Sequence, residues 1–479
     1  MRDTTFPPAR SLRDLTPSRL SSVKAHVASV IFDEIFPVGL SERADLGVAP
    51  LGPRLSLSIA MAAIQAGLFG MRHLGNPCEV PESKRSLHLA IRKDAYRIQE
   101  AALANLLIGR RLRTLREEKK LSQDDLARLF GFKDRQTVSA IETGERRLSA
   151  DELLLVVREL GVPLDYFTDP FRLVGEGRFN WRQSNVPPAA LGAYERVVGQ
   201  IIAAFRTLGT EVGEKPPLVR HSLRLTKNSR FEDAAEAGER FAAEYKLGDV
   251  PAQRLAEVME RDLNILVLMV TPSHAGVSGA ACRLPELDVV LINRDEVPGR
   301  RHFDLAHELF HILTWDAMPP VHVEDATETG GANRVEHLAN AFSSALLMPS
   351  RIVKAAADWR TLRGDSLIAQ LNATADRLEV TSKALVWRLA NLDLLASSDA
   401  RAISASDAIR NNGHPTDLSA DNRTGERPRL FSKRFVEIVA RAVEEGRVSI
   451  RMIASLLGLS VDGLGDLFAA HDVPAPYEL

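Results

Sequence analysis

The segment RRHFDLAHELFHIL, residues 300–313, places the pattern H-E-x-x-H within a run of helical apolar periodicity. His307 and His311 are one turn apart on one face of such a helix, so both imidazoles can bind the same metal ion. Zinc suits imidazole ligands, and Glu308 can take a proton from a water bound to the ion. An amphipathic helix with two incidental histidines is the alternative. The apolar residues around the motif favour a buried active-site helix instead.

A third ligand is expected downstream, where VEHLANAFSSALLMP at residues 335–349 predicts another helix facing a core. Glu336 and His337 are neighbours at its start, and their side chains point about 100° apart. Only one of the two can therefore face the ion. The segment between the two helices offers three further candidate ligands, which are His322, Glu324 and Asp325.

Two runs rich in leucine and β-branched residues precede the motif, and each is bounded by Pro, Gly or Asn as a strand would be. These runs, Leu263–Val270 and Leu287–Ile292, predict a small sheet. We expect the second strand to offer an edge with which an extended substrate can pair. With helices predicted over Arg301–Leu313, Val335–Leu347 and Ser366–Leu395, the stretch is an α+β unit.

A second motif lies upstream, where LSQDDLARLFGF occupies residues 121–132. Ser122 is a good N-cap and Gly131 is a helix terminator. Another helical segment, Asp134–Glu145, follows after a short turn, which is the pattern of a helix-turn-helix. The residues that two crossed helices would bury are Leu126, Leu129, Val138 and Ile141.

Composition limits the remaining possibilities. A chain of 479 residues suggests about three to four domains. Its 61 basic and 63 acidic residues leave a net charge of -2, which excludes a basic field over the whole chain. Two cysteines exclude a disulfide framework and a four-cysteine zinc site and favour a reducing cytoplasm. The apolar run Leu55–Met71 is short for a membrane span, so we expect no membrane partner.

Residues 106–170 resemble the Cro-repressor-like, xenobiotic-response-element (XRE) family of helix-turn-helix regulators. The resemblance rests on S-Q-x-x-L-A from Ser122, T-V-S-x-I-E-x-G from Thr137, and the ending L-G-V-P-L-D-Y-F. It implies double-stranded operator DNA as a partner, a homodimer, and a third helix that enters the major groove. The side chains that it places at base edges are Arg135, Gln136, Thr137 and Ser139, and those near phosphates are Gln123, Arg146 and Arg147.

The alternative for this region is a helical bundle that only packs or dimerises. Residues 106–170 contain 12 basic and 12 acidic residues, a net charge of zero. This is a weaker basic footprint than a strong DNA-binding protein has. The specific recognition segment nevertheless favours DNA binding, with modest affinity.

Residues 250–395 resemble the ImmA/IrrE family of bacterial metallopeptidases, which is similar to the gluzincins. The shared features are a strand ending in Asn293, the R-R-x-F-D-L-A-H-E-L-F-H-I-L segment, and E-x-x-A-N-x-F-x-x-x-L-L-M-P. The resemblance implies one zinc ion per chain, with manganese as the alternative metal. It also implies cleavage of a helix-turn-helix repressor in a stress, mobile-element or metabolic response. The implied ligands are His307, His311 and Glu336, with Glu308 as general base.

These features predict a mainly α, multidomain chain: an all-α helix-turn-helix domain, an α+β zincin-like metallopeptidase domain with a small sheet, and a C-terminal helical domain. The expected function is a cytoplasmic DNA-binding transcriptional regulator with a zinc endopeptidase that cleaves a repressor in cis or in trans. The alternative is a transcription factor whose metallopeptidase fold only senses a metal or ligand. The predicted segments are an extension of unknown role (1–104), the helix-turn-helix (105–172), a helical connector (173–249), the metallopeptidase (250–396), a linker (397–429) and the C-terminal helices (430–479).

Overall fold

The structure is a computed structural model that describes residues 104–476, except 215–218, 275, 321–322, 326–333, 412–413 and 416–426. The predicted N-terminal extension and its apolar run Leu55–Met71 lie outside the described residues. In the described part the fold is mainly helical with a small sheet, as predicted. The sheet is mixed and five-stranded, and a separate two-stranded ribbon lies in the segment predicted as a linker.

The N-terminal part of the described chain is an all-helical unit around its own apolar core. Ser122 accepts a hydrogen bond from the backbone N–H of Asp125 and begins the second helix, which Gly131 ends with φ 66°. The third helix ends before Gly144, whose φ is 75°. The five helices are α1 (104–118), α2 (Gln123–Phe130), α3 (Arg135–Glu142), α4 (Ala150–Leu160) and α5 (Asp165–Thr168).

Three of the four apolar residues predicted in this core are buried, namely Leu126, Val138 and Ile141. The prediction for Leu129 is wrong, because this side chain is 44% exposed. Phe130, four residues after Leu126, is buried instead. Residues four apart lie on the same helix face, so the aromatic ring occupies the position expected for the leucine.

Five strands form the sheet: β1 (Arg178–Gln183), β2 (Ile265–Val270), β3 (Val277–Arg283), β4 (Asp288–Asn293) and β5 (Val323–Asp325). Their order in the sheet is β2-β4-β3-β1-β5. β3 pairs antiparallel with both β1 and β4, whereas β2 with β4 and β1 with β5 are parallel pairs. The expectation that the strand ending at Ile292 lies at an edge is wrong, because β4 is paired on both sides. Its uninterrupted apolar run is typical of an interior strand.

Two interior strands were not predicted from the sequence. β1, with the polar sequence RFNWRQ, lies within the segment predicted as a helical connector, 173–249. Its Trp181 is fully buried, and cross-strand pairing with β3 compensates for its low apolar content. β3, VSGAACR, consists mostly of small residues, which carry little strand signal.

Helices cover both faces of the sheet. Alternate residues of β4 divide between the two cores: Val290 and Ile292 pack with the histidine-bearing helix, whereas Val289 and Leu291 pack on the opposite side. The first face is covered by α7 (Phe231–Glu244), α8 (Pro251–Arg261), α9 (Pro298–Thr314), α10 (Arg334–Leu347), α11 (Ser350–Ala356), α12 (Gly364–Leu378), α13 (Ser382–Asn391) and α14 (Ser397–Ser404).

The opposite face is covered by α6 (Pro188–Glu211) and the C-terminal helices α15 (Lys433–Glu444), α16 (Ile450–Leu457) and α17 (Val461–Ala470). Between α6 and α15, the ring centroids of Phe205 and Phe435 lie 5.7 Å apart. The segment predicted as C-terminal helices therefore forms a layer over the sheet.

Two boundaries differ from the predicted elements. The helix predicted over Ser366–Leu395 is broken into α12 and α13 at Glu379, which has φ 54°. The predicted linker 397–429 begins with α14, because Ala400 is fully buried in the core beneath it. It continues into a ribbon of β6 (Arg410–Asn411) and β7 (His414–Pro415).

A buried ion pair joins the helix-turn-helix unit to the chain that enters β1. Arg111 of α1 is fully buried, and its Nε lies 3.7 Å from Oε1 of Glu176. The guanidinium also donates to the backbone carbonyls of Tyr166 and Arg172. Glu176 accepts from the backbone N–H of Val174 at 2.7 Å. This pair fixes α1 next to the first strand of the sheet.

Within the described residues, no single helix has both the length and the apolar character needed to cross a bilayer. The bent pair α16 and α17, at 79° to each other, meets those criteria only when the two helices are taken together.

The packing of α7 on α10 generates a stability prediction. A Cβ at Gly238 would lie 2.3 Å from the backbone carbonyl oxygen of Phe342, so Gly238→Ala must push the two helices apart. We expect the free energy of unfolding, measured by urea denaturation of the full chain, to fall by about 1–3 kcal/mol. Gly192→Ala on α6 is the control, because nothing lies within 4 Å of its Cβ and alanine favours a helix. Equal effects of the two substitutions would contradict this packing.

Candidate metal centre and nucleic-acid interface

The H-E-x-x-H segment lies within α9, which begins at Pro298 in the first helical turn, where proline is favoured. The helix is buried from Asp304 to Thr314, since the sheet covers one side and α10 the other. His307 and Glu308 are 0% exposed and His311 is 1% exposed. Such burial of polar side chains is costly unless they are paired or bind a metal.

Glu336 brings a carboxylate from α10 to the two imidazoles. Its Oε2 lies 3.0 Å from Nε2 of His307, and its Oε1 lies 3.2 Å from Nε2 of His311. The two Nε2 atoms are 3.1 Å apart. A tetrahedral zinc ion with ligands at about 2.0–2.1 Å separates its donor atoms by roughly 3.3 Å, so this spacing is close to that of a ligand set. Among the described residues, this is the group of His, Cys, Asp and Glu side chains that could hold a metal ion.

The structure places Glu336, and not its neighbour, beside the histidines. His337 is exposed, and the centroid of its ring lies 5.8 Å from that of Phe231. The 100° rotation between consecutive helical residues accounts for this difference. The alternative ligands His322, Glu324 and Asp325 have side chains outside the described part of the chain.

Asn340 is a site residue that the metal-ligand analysis of the sequence missed. Its Oδ1 lies 3.2 Å from Nδ1 of His307, so the imidazole can donate its Nδ1–H there, which makes the Nε2 lone pair available to a metal ion bound together with His311 and Glu336. Asn340 follows Glu336 by four residues and therefore lies on the same face of α10. That spacing is the signal that could have found it.

The electrostatics favour metal-binding protonation states. Burial, followed by the positive charge of Arg182, lowers the pKa of His307 to about 4, so its imidazole is neutral at pH 7. Burial opposes ionisation of Glu336, but its contacts with His307 and His311 outweigh this and hold the pKa of the carboxyl below its usual value. Neutral imidazole and ionised carboxylate are the forms that bind metals.

Glu308 lies beneath β3. A Cβ built on Gly279 would be 3.7 Å from Cγ of Glu308 and only 2.8 Å from the carbonyl oxygen of Leu291. Glycine is thus required for the close approach of the strands at this point. The carboxyl group of Glu308 is placed one residue after the first histidine, on the sheet side of the helix.

A second charge pair, between a half-buried arginine and a buried aspartate, lies close to the histidines. Nη1 of Arg182, on β1, donates to Oδ1 of Asp304 on α9 at 2.8 Å. Asp304 is one turn before His307 and is 2% exposed. The sequence analysis missed Arg182, because nothing in a polar segment predicted as connector indicates that it belongs to the sheet.

The predicted recognition helix, α3, begins at the N-cap Asp134. Oδ1 of Asp134 accepts from both the backbone N–H and the hydroxyl of Thr137. The hydroxyl of Thr137 is therefore engaged in capping. Arg135 and Gln136 are exposed at the same end, and Ser139 is half-buried. A surface cleft of about 690 Å³ runs along α2 and the start of α3, lined by residues that include Arg128, Lys133, Arg135 and Gln136.

The residues predicted near phosphates have different surroundings. Gln123 donates to the buried carboxylate of Glu142 at 2.8 Å, and Arg116 of α1 pairs with the same carboxylate. Arg146 forms an ion pair with Glu152 at 2.6 Å. Arg147 is exposed. The carboxylate of Glu142 thus ties α1, α2 and α3 together, whereas Arg146 joins the loop after α3 to α4.

Comparison with known families agrees with both halves of this description. A helix-turn-helix family model matches residues 112–167, and a model described as the IrrE N-terminal-like domain, a peptidase family, matches residues 251–390. The predicted combination of an XRE-type helix-turn-helix with an ImmA/IrrE-like metallopeptidase segment is thereby confirmed.

Among solved structures, a Mycobacterium tuberculosis transcriptional regulator matches with 23% identity and a TM-score of 0.25. The match covers 34% of this chain and 48% of that one, so the chain spans about half the length of that regulator. No curated protein sequence matches the chain.

Proposed function

We propose that this chain, which joins a helix-turn-helix DNA-binding domain to an ImmA/IrrE-like metallopeptidase domain, is a transcriptional regulator with a zinc-dependent endopeptidase activity. Its substrate is a helix-turn-helix repressor, either this chain itself or a second protein. The observation that carries the proposal is the convergence of His307, His311 and Glu336 donor atoms within 3.2 Å, next to Glu308 on the same helix.

The donor set fits one zinc ion per chain, with manganese as the alternative. Two imidazoles and one carboxylate are the ligands of a catalytic zinc site, which keeps its fourth position for water. A bound zinc ion would polarise the scissile carbonyl group and acidify a water molecule. Nδ1 of His307 is held by Asn340, which is the kind of outer contact that fixes the tautomer of a ligand.

The protein's own groups perform the proton transfers. Glu308 takes a proton from the attacking water and passes it to the nitrogen of the leaving amine. Its burial keeps bulk water away, which strengthens its interactions with charges that develop in the site.

The helix-turn-helix domain selects the operator. The start of α3 presents Arg135 and Gln136 to solvent, where they can reach base edges in the major groove. Thr137 and Ser139 complete the proposed reading face, and the residues proposed near phosphates are Gln123, Arg146 and Arg147. Two copies of the chain would bind paired half-sites as a homodimer.

The first prediction of this proposal concerns metal content. Purified protein dialysed against zinc should retain about one ion per chain by metal analysis. His307→Ala or His311→Ala should abolish retention, because each variant keeps only two of the three ligands. Asn340→Ala should weaken zinc affinity by about 10- to 100-fold. His337→Ala is the matched control and should have no effect. Stoichiometric zinc in both histidine variants would refute the site.

The second prediction concerns proteolysis. Glu308→Gln should keep zinc, stability and DNA binding while the cleavage rate falls by about 10²–10⁴, because the general base is lost. The measurement is a parallel digest by wild type and variant, with zinc, of the chain itself and of purified helix-turn-helix repressors, with and without an operator fragment. Glu257→Gln, at an exposed position of α8, is the control.

The result also separates the two functions considered from the sequence. Equal cleavage by wild type and Glu308→Gln would exclude this mechanism. Absence of cleavage, together with an unchanged regulatory phenotype of Glu308→Gln in cells, would favour a metal or ligand sensor.

The third prediction concerns DNA. Sites would first be selected from genomic fragments with the full chain, and affinities measured over a range of salt concentrations. Gln136→Ala should cost about 1–3 kcal/mol at the selected site and relax specificity, because a base contact is lost. Arg147→Ala should weaken binding to all sequences alike and reduce the salt dependence. Arg158→Ala, an exposed residue of α4, is the control. Failure to select any fragment would contradict the DNA-binding proposal.

A further inference from the structure

Arg182 occupies a special position in the sheet above the candidate metal centre. It pairs in register with Gly279 on β3, and the position of a Gly279 Cβ faces Cγ of Glu308. Residues directly opposite on neighbouring strands direct their side chains to the same face of the sheet. Arg182 therefore projects towards α9, on the strand next to the one that covers Glu308.

The strand is irregular at this point. The register between β1 and β3 shifts immediately after Arg182, since Gln183 pairs with Val277 and Ser278 is left over. Bulges of this kind redirect side chains and are frequent beside active sites. Ser278 is buried and accepts a hydrogen bond from Arg300 at 3.2 Å.

Asp304 on α9 holds the guanidinium of Arg182 in place. Asp304 is 2% exposed, and its Oδ1 accepts from Nη1 of Arg182, whose side chain keeps 21% exposure. An ion pair whose carboxylate is buried contributes little stability compared with apolar residues of similar size. Its presence one turn before His307 indicates a role other than stabilising the fold.

The positive end of this pair lies close to the candidate ligands. Asp304 precedes His307 by three residues on the same helix, so the guanidinium that it holds at 2.8 Å is about one helical turn from the imidazole. The guanidinium can offer further N–H donors in a rigid planar fork.

We propose that Arg182 contacts the oxygen of the scissile carbonyl group and stabilises the negative charge that this oxygen acquires, with Asp304 as its positioning residue. The inference rests on the endopeptidase activity proposed above. It assigns to β1 a catalytic group in addition to the H-E-x-x-H helix and Glu336.

The step balances without an oxidant or reductant. The water oxygen forms a bond to the carbonyl carbon as Glu308 takes a proton, and the π electron pair of the carbonyl moves onto its oxygen beside Arg182. The pair then re-forms the double bond as the carbon–nitrogen bond breaks. The proton on Glu308 goes to the nitrogen of the leaving amine, and the remaining hydroxyl proton of the new carboxylic acid follows it, so the products are a carboxylate and an ammonium group.

The test compares Arg182→Lys, which keeps the charge, with the double variant Arg182→Gln/Asp304→Asn, which leaves no unpaired buried charge. Arg300→Ala is the control, because Arg300 lies near the same carboxylate at 3.9 Å but its side chain is 50% exposed. Zinc-loaded full-length proteins are assayed for kcat and KM on the best cleaved member of a fluorescence-quenched hexapeptide library. Calorimetry measures binding of N-phosphoryl-leucinamide, whose tetrahedral anion imitates the attacked carbonyl. Zinc content and Tm are recorded for each protein.

In the double variant we expect kcat to fall by about 10²–10³, KM to change by less than about threefold, and affinity for the phosphoryl probe to fall at least about tenfold. Arg182→Lys should recover part of both losses, and Asp304→Asn alone should lower kcat less than the double variant. Zinc content and Tm should match the wild type. Arg300→Ala should behave as wild type.

The contrary outcomes are distinct. Unchanged kcat and probe affinity in the double variant would overturn the role of Arg182 while leaving the endopeptidase intact. Loss of zinc or of folding in both the double variant and Arg182→Lys would also overturn it, because Arg182 would then be structural. A zinc-loaded wild type that neither cleaves the library nor binds the probe would refute the endopeptidase itself.

Discussion

The burial of α9 is the constraint on which the rest of the candidate centre depends. A helix enclosed by a sheet and by α10 brings His307, Glu308 and His311 out of water. Buried polar groups must be paired or bind a metal, because their desolvation otherwise costs several kcal/mol. Glu336, Asn340 and the Arg182–Asp304 pair are the partners and neighbours that this requirement brings to the helix.

The same constraint explains the tight packing around the centre. Gly238 lets α7 approach α10 to the point where a Cβ would meet backbone, and Gly279 does the same between β3 and its neighbour above Glu308. Gly238 thus holds α7 against the ligand-bearing α10, and Gly279 holds β3 against β4 above Glu308. The geometry of the donor atoms therefore depends on residues that carry no functional group.

Helix α1 connects the two functional halves physically. Its Arg116 pairs with Glu142 of the recognition helix, and its Arg111 pairs with Glu176 just before β1. β1 in turn carries Arg182. The helix-turn-helix unit is thus attached through buried charges to the strand that faces the candidate metal centre, and not through an independent linker.

The sequence by itself determined what depends on local spacing. The spacing of four residues from His307 to His311 places them on one helix face, and Ser122 and Gly131 begin and end α2 as capping chemistry requires. Both domains could be predicted for this reason. Because Glu336 and His337 are consecutive residues of a helix, their side chains point about 100° apart. The sequence therefore showed that only one of them could face the ion, but not which one.

Only the tertiary structure decided that choice, since it depends on how α10 is rotated against α9. It also decided that β4 is an interior strand, that Phe130 replaces Leu129 in the core, and that Arg182 belongs to the centre at all. Arg182 and Asp304 are 122 residues apart in the chain. Contacts between such distant residues arise from strand pairing and helix packing, which no local pattern of residues specifies.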